Sequence, residues 1–320
     1  MNILVVGAGA IGQVYALHLA RAGHAVSFFV KAKYADDLKA GLDLHRLRRG
    51  GAVTERLDGF GLLTDPAEVA AGRWDQVWLT LPSDALRGEL ARQVLAAVGD
   101  ATVICLQPDI HDGEFVRSRT PQRQQVVQSL IPFISFQSPL PGQPGPAGIA
   151  FFLPPLTPAL VAGEPARAAA VTTTLKQAGV PARQVADFAR STAAFVAMMQ
   201  PLMAALEANG WDLYGLPASP RLREGLQASR EAMQAAAAET GGSTWALHPL
   251  VWPLTWRLAL PLLKRVFPFD LQVYLRFHYS KVGVQTRLML DSYIELGAAR
   301  RLPVSSLQTL RLSLPEPAGV

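Results

Sequence analysis

The chain opens on an unbroken apolar run, ILVVG at residues 3–7, and within a few positions the pattern changes period. After GAGAIG, the segment QVYALHLARAG repeats Val14, Leu17 and His18 at helical spacing, and Gly23 follows as a C-terminal cap. HAVSFF at 24–29 then reads as a second strand, so about thirty residues spell strand, helix, strand. Further apolar strands are predicted at 76–81 (QVWLTL), 102–107 (TVICLQ), 125–133 (QVVQSLIPF) and 149–154 (IAFFLP), with a helix over 84–98. Strands alternating with helices predict a mainly parallel sheet covered on both faces. SPLPGQPGPAG at 138–148 is a turn-rich connection between late strands. From about residue 186 the pattern is helical throughout: DFARSTAAFVAMMQPLMAALEANG, RLREGLQASREAMQAAAAE and YLRFHYSKVGVQTRLMLDSYIELGAARR. The expected fold is α/β, a Rossmann-type domain over 1–185 followed by an all-helical domain over 186–320.

Composition narrows the function classes. Half of the 320 residues are hydrophobic and 17% are charged, which suits a globular chain with two cores. The net charge of +5 is spread out, with small clusters such as HRLRRGG at 45–51, and no nucleic-acid-binding motif accompanies it. A phosphorylated cofactor or an anionic small molecule fits that excess better than nucleic acid; a solvated basic face is the plainer alternative. The single cysteine, Cys105, sits in an apolar run and reads as core, which fits a reducing cytoplasm. The six histidines show no metal-ligand spacing, so no metal is expected. The apolar stretch 243–269 is interrupted by Arg257, Lys264 and Arg265 and by four prolines. It reads as buried short helices, or as a dimer or lid surface, and no membrane partner is expected.

Gly7, Gly9 and Gly12 spell GxGxxG between a strand and a helix. The first glycine permits the tight turn, the second lets the backbone approach a pyrophosphate, and the third lets helix and strand pack closely. The anion then meets free N–H groups at the helix N-terminus. At the end of the second strand stands Lys31, where an acid would bind the ribose 2′-hydroxyl of NAD. A cation there, with Lys33 nearby, suits a 2′-phosphate, and the cofactor expected is NADP(H).

With these motifs the chain resembles the ketopantoate reductase (2-dehydropantoate 2-reductase) family over essentially its whole length. The resemblance rests on GAGAIG, KAGLDLHRLRRGGAV, QVWLTLPSDAL, TVICLQPDIHDGEFV, AFVAMMQPLMAAL and LDSYIELGAARRLPVSSLQTL. It implies reduction of a 2-oxo acid with NADPH, at a site between a Rossmann domain and a helical domain. It also implies that Ala10, Ile11, Leu81, Pro82 and Pro108 join the three glycines and Lys31 around the cofactor. The family's catalytic positions are not kept. Its lysine on the long helix falls at Thr192 and the asparagine one turn later near Val196. Its lysine after the fourth strand falls at Pro82, its asparagine after the fifth at Pro108, and its C-terminal glutamate at Gln285 in a gapless alignment of the ending. The element that holds the substrate carboxylate has no clear counterpart, so ketopantoate itself is not the expected substrate.

Hydride addition to a carbonyl builds charge on oxygen and calls for a proton donor or a fixed cation. Thr192 and Gln285 can hydrogen-bond that oxygen, but neither is an acid at neutral pH. The face through Thr192, Val196, Met199 and Met203 is nearly apolar, which suits either a drier pocket or ordinary core. If 274–301 is one helix, Tyr274, His278, Lys281, Gln285 and Ser292 lie within about 40° of one line. On that reading Lys281, helped by His278, replaces the missing donor; a solvated polar face is the alternative. Asp109, His111 and Asp112 follow the fifth strand, where ligands of such sheets bind, but PDIHDG is equally a turn. The expected function is NADPH-dependent reduction of a carbonyl other than ketopantoate, with Lys281, Gln285 and Thr192 as catalytic candidates. A non-catalytic NADP(H)-binding regulatory or assembly protein is the alternative. The expected partners are a small carbonyl or hydroxy-acid substrate and, as a candidate, a second copy through the helical domain.

Overall fold

The computed structural model describes residues 1–316, apart from the side chains of Pro261 and Lys264. The chain divides into two compact units, Met1–Phe188 and Ala189 onward.

In the first unit the strands of the larger sheet are β1 (Asn2–Val6), β2 (Ala25–Phe29), β5 (Gly61–Leu63), β6 (Gln76–Leu79), β7 (Thr102–Cys105), β8 (Val126–Ser129), β11 (Ala159–Ala162) and β12 (Ala182–Gln184). They lie in the order β12-β11-β8-β7-β6-β1-β2-β5. The six from β8 to β5 are all parallel, and β11 joins β8 antiparallel. The order reverses between β1 and β6, which opens a crevice at their carboxyl ends where ligands of doubly wound sheets bind. Strands buried on both faces explain the continuous apolar runs: Ile3, Leu4, Val5, Val77, Trp78, Val103 and Ile104 are all fully enclosed.

A second, four-stranded sheet was not foreseen. It runs β4-β3-β10-β9, built from β3 (Leu42–Arg48), β4 (Gly51–Leu57), β9 (Ile134–Ser138) and β10 (Gly148–Phe152). The basic cluster HRLRRGG is therefore a hairpin, turning through Gly50 and Gly51, both at positive φ. His45 within it is buried, bonded through Nδ1 to Thr54 (3.0 Å) and through Nε2 to the Ala147 carbonyl (2.9 Å). Of the strand expected over 125–133 only Val126–Ser129 forms; β9 begins at Ile134 in the other sheet, and Pro132 between them has no N–H to continue a ladder. The Pro/Gly-rich 138–148 segment is the loop between antiparallel β9 and β10, as expected. Likewise the helix expected over 84–98 is two, Ser83–Leu86 and Glu89–Ala97, parted at Gly88.

The second unit is helical: Phe188–Ala208, Pro220–Thr240, Pro253–Val266, Leu271–Lys281, Gly283–Ala299 and Ser305–Leu312. The first two meet closely at Gly225, where an added Cβ would lie 2.6 Å from Ala205 Cβ, and Ser229 donates to the Met198 carbonyl (2.8 Å). Glu231, buried, accepts from the N–H groups of Ser306 and Leu307 and so caps the last helix from a neighbouring one. Arg287 and Glu207 form a two-armed, nearly buried ion pair, with 2.7 Å between Arg287 Nη2 and Glu207 Oε1.

Two expectations change here. The segment 243–269 is not buried: a 3₁₀ stretch, Trp245–Val251, and the helix Pro253–Val266 leave Trp245, Trp252, Leu254, Leu258 and Leu262 exposed. Among the described residues no helix is long and apolar enough to cross a membrane. The helix expected across 274–301 breaks at Val282, where φ is −108° and ψ 25°, and Gly283 starts the next. A β-branched residue beside glycine is a weak place in any helix.

Candidate functional site

The turn after β1 is held by its neighbours rather than by its own side chains. Gly7 sits at φ +106°, a conformation that strains any side chain, and its N–H donates to the Phe29 carbonyl of β2 (3.0 Å). Thr80, just past β6, has its Oγ1 2.9 Å from the Val6 carbonyl and 2.8 Å from that of Gly7. Gln13 reaches back from the helix Ala10–Arg21 to the Ala8 carbonyl (2.8 Å). A Cβ added at Gly12 would lie 2.1 Å from the Gly7 carbonyl oxygen, so helix and turn touch there. A Cβ at Gly9 would meet nothing within 4 Å. Gly9 is also the N-cap of the helix and offers no side-chain cap, and the first N–H groups of a helix have no partner within it. The two glycines differ in their surroundings: a side chain at Gly12 would collide with the protein, and one at Gly9 would not.

At the far end of β2, Lys31 is exposed, and among the described residues its ammonium has no hydrogen-bonding or ionic partner. Lys33, two residues on, lies over the Tyr34 ring at 4.8 Å. Leu81 closes the other side of the turn, 3.0 Å from where a Gly7 Cβ would be. Pro82 heads the short helix Ser83–Leu86, and Pro108 follows β7.

At this strand end Gln107 escaped the sequence reading, while Asp109 and Asp112 were read there as a turn. Gln107, buried, donates through Nε2 to the carbonyls of Leu79 (2.9 Å) and Leu81 (2.7 Å), fixing the end of β6 against β7. Beneath it Asp112 accepts from Ser83 Oγ (2.7 Å), Arg87 Nη1 (2.7 Å) and the Asp109 N–H (3.0 Å). Burial pushes the Asp112 carboxyl above its usual range, opposed by the bonds from Ser83 and Arg87. Asp109 faces Arg87 at 3.5 Å and accepts from the His111 N–H (3.0 Å). These acids brace the loop, as the turn reading has it. Cys105 is fully enclosed, and burial pushes its thiol up to about 12, so it is inert core.

The helical candidates do not gather on one line. Tyr274, His278 and Lys281 lie on the helix Leu271–Lys281, whereas Gln285 and Ser292 belong to Gly283–Ala299. Thr192 is buried on Phe188–Ala208, as is Met203, while Val196 and Met199 are half-buried. The Arg287–Glu207 pair ties the first turns of Gly283–Ala299 to the last turn of Phe188–Ala208. Thr192 stands fifteen residues before Glu207, about 22 Å along the axis, so the fold separates Thr192 from Gln285. His278 stacks on Tyr274 and meets Tyr279 edge-on. Burial, and then the Lys281 charge, lower its pKa to about 4, so it is neutral near pH 7 and no proton donor there. Lys281 Nζ lies 3.7 Å from the Phe277 ring centre, and loss of hydration lowers its pKa below the ordinary lysine range.

Residues 3–143 match the family model described as ketopantoate reductase PanE/ApbA. No curated protein matches the chain by sequence. Solved structures are similar over nearly the full length. A PanE/ApbA family ketopantoate reductase from Ralstonia eutropha JMP134 is 19% identical with a TM-score of 0.70, covering 98% of this chain and 96% of that one. The 2-dehydropantoate 2-reductase from Geobacter metallireducens GS-15 is 16% identical with a TM-score of 0.72, covering 98% and 99%. D-mandelate dehydrogenase, in its ternary structure with NADH and anilino(oxo)acetate, is 15% identical with a TM-score of 0.73, covering 98% and 96%. Residues 3–143 thus carry the signature of the ketopantoate reductase PanE/ApbA family, and the chain as a whole has the fold of those enzymes.

Proposed function

We propose that the protein is an NADP(H)-dependent oxidoreductase that interconverts a carbonyl and a hydroxyl group on a small substrate other than ketopantoate. The observation that carries this is the uncapped helix N-terminus at Gly9, open to space at the β1/β6 reversal and built on a left-handed Gly7. Gly7, Gly9, Ala10, Ile11 and Gly12 would hold the pyrophosphate, and Lys31 the adenosine 2′-phosphate. Leu81, Pro82 and Pro108, at the ends of β6 and β7, would supply an apolar wall. The bound nicotinamide supplies hydride chemistry; the protein must supply the proton.

Of the three candidates for that proton, Lys281 is chemically the best suited. Its lowered pKa makes the ammonium a stronger acid, while a hydroxyl such as Thr192 and an amide such as Gln285 can only orient or polarise an oxygen. A non-catalytic nucleotide-binding protein is the second reading, favoured by Gln285 standing two residues from the Arg287 that pairs with Glu207, which lies about 22 Å along the helix axis from Thr192. NADPH oxidation against a panel of 2-oxo acids, β-keto acids and ketones decides between them. The oxidoreductase reading expects turnover of at least one class, lost about a hundredfold in Lys281→Met and declining as pH rises through the lysine's lowered pKa. Tight NADPH binding with no turnover of any class would support the second reading.

A further inference from the structure

The helix Pro253–Val266 has two apolar sides, and only one of them is used. Leu260 is fully buried and anchors the helix to its unit. From about 120 to 160° around the axis run Leu254, Leu258 and Leu262, with Val266 continuing the row at the same four-residue step. Those four side chains and the neighbouring Trp245 and Trp252 are from 46 to 76% exposed. A row of large apolar side chains facing solvent, with indoles at one end, is beyond the scattered apolar exposure of ordinary surfaces.

Charge identifies the occupant. No aspartate or glutamate occurs between residues 243 and 269, whereas Arg257, Lys264 and Arg265 do. Arg257 and Arg265 are exposed; Arg257 lies on the flank of the leucine row and Arg265 at its C-terminal end. A second copy docking this face on itself would bring two basic rows together with no acid from the segment to pair them. An anionic surface meets the same row with complementary charge. The helix is 14 residues long, about 21 Å, too short to cross a bilayer but long enough to lie in its interface. Tryptophan is the residue most at home at that depth.

We propose that the face formed by Trp252, Leu254, Leu258, Leu262 and Val266, flanked by Arg257 and Arg265, docks onto anionic phospholipid, with the helix lying flat in the headgroup region. The attachment is peripheral and reversible, because it rests on one short helix and a few charges.

Co-sedimentation of the full chain with vesicles of phosphatidylcholine containing phosphatidylglycerol tests it. Binding is expected to these vesicles, to weaken at high salt and to be about tenfold weaker on phosphatidylcholine alone, with a blue shift of tryptophan emission. Leu254→Glu/Leu258→Glu, at exposed positions, should keep the circular dichroism spectrum and lose at least about tenfold in vesicle affinity; Leu262→Glu is the independent second variant. Absence of vesicle binding overturns the proposal, as does binding that both variants leave unchanged. Sedimentation without lipid supplies the other outcome: a dimer that Leu254→Glu/Leu258→Glu dissociates would assign the face to a second copy instead.

Discussion

Gly9 and Gly12 stand three residues apart in the same motif, yet their surroundings predict opposite failures. At Gly12 a side chain would collide with the Gly7 carbonyl at 2.1 Å and with Thr80 Oγ1 at 2.8 Å. Gly12→Val should therefore destabilise the fold by about 3 kcal/mol, visible as a lowered denaturant midpoint. At Gly9 the backbone is extended and the space empty, so Gly9→Val should change stability by no more than about 1 kcal/mol. It should nonetheless weaken dinucleotide binding at least about tenfold, because the new side chain occupies the anion's place. Equal loss of stability in the two variants would contradict this division of roles. The motif was legible because its residues are local and each has a steric reason. Thr80 and Gln107, which clamp the same turn and strand ends, were not legible. Their partners are backbone carbonyls more than twenty residues away, and nothing in TLPS or CLQP marks a polar side chain as turned inward.

At the scale of elements, the break at Val282 matters most. One helix would have put His278, Lys281 and Gln285 on a common line; two helices divide them. Period alone could not reveal the break, because VGV keeps the apolar pattern while weakening the helix. The β3–β4 hairpin was missed for a different reason. Its strands carry Arg46, Arg48, Glu55 and Arg56 among the apolar positions, and β3 pairs with β10 about a hundred residues later. His278 gives this part of the molecule a measurable pH dependence. Its pKa is about 4 in the fold against 6.5 unfolded, so between those values the unfolded chain binds more protons. The contribution is fully present above about pH 6.5 and is lost as pH falls toward about 4. It amounts to about 2 kcal/mol, allowing for the ring's partial exposure to solvent. Urea unfolding of the wild type should lose that much more stability over this interval than His278→Gln does. Parallel profiles for the two would contradict the burial argument.

For the whole molecule, the division near residue 188 separates two kinds of legibility. In the first unit, alternating short apolar runs and helices announced the parallel sheet, though not the strand order β5-β2-β1-β6-β7-β8. In the second unit, helices were evident but their mutual arrangement was not. Contacts such as Glu231 capping Ser305–Leu312, or Arg287 meeting Glu207, join residues 75 to 80 positions apart. The proposed cofactor site rests on the first unit, and so does its most direct test: isothermal titration of the purified chain with NADPH and with NADH, repeated on Lys31→Ala. The account predicts one NADPH site, at least about tenfold preference over NADH, and loss of that preference in Lys31→Ala with NADH affinity kept. Failure of the wild type to take up either dinucleotide would contradict it.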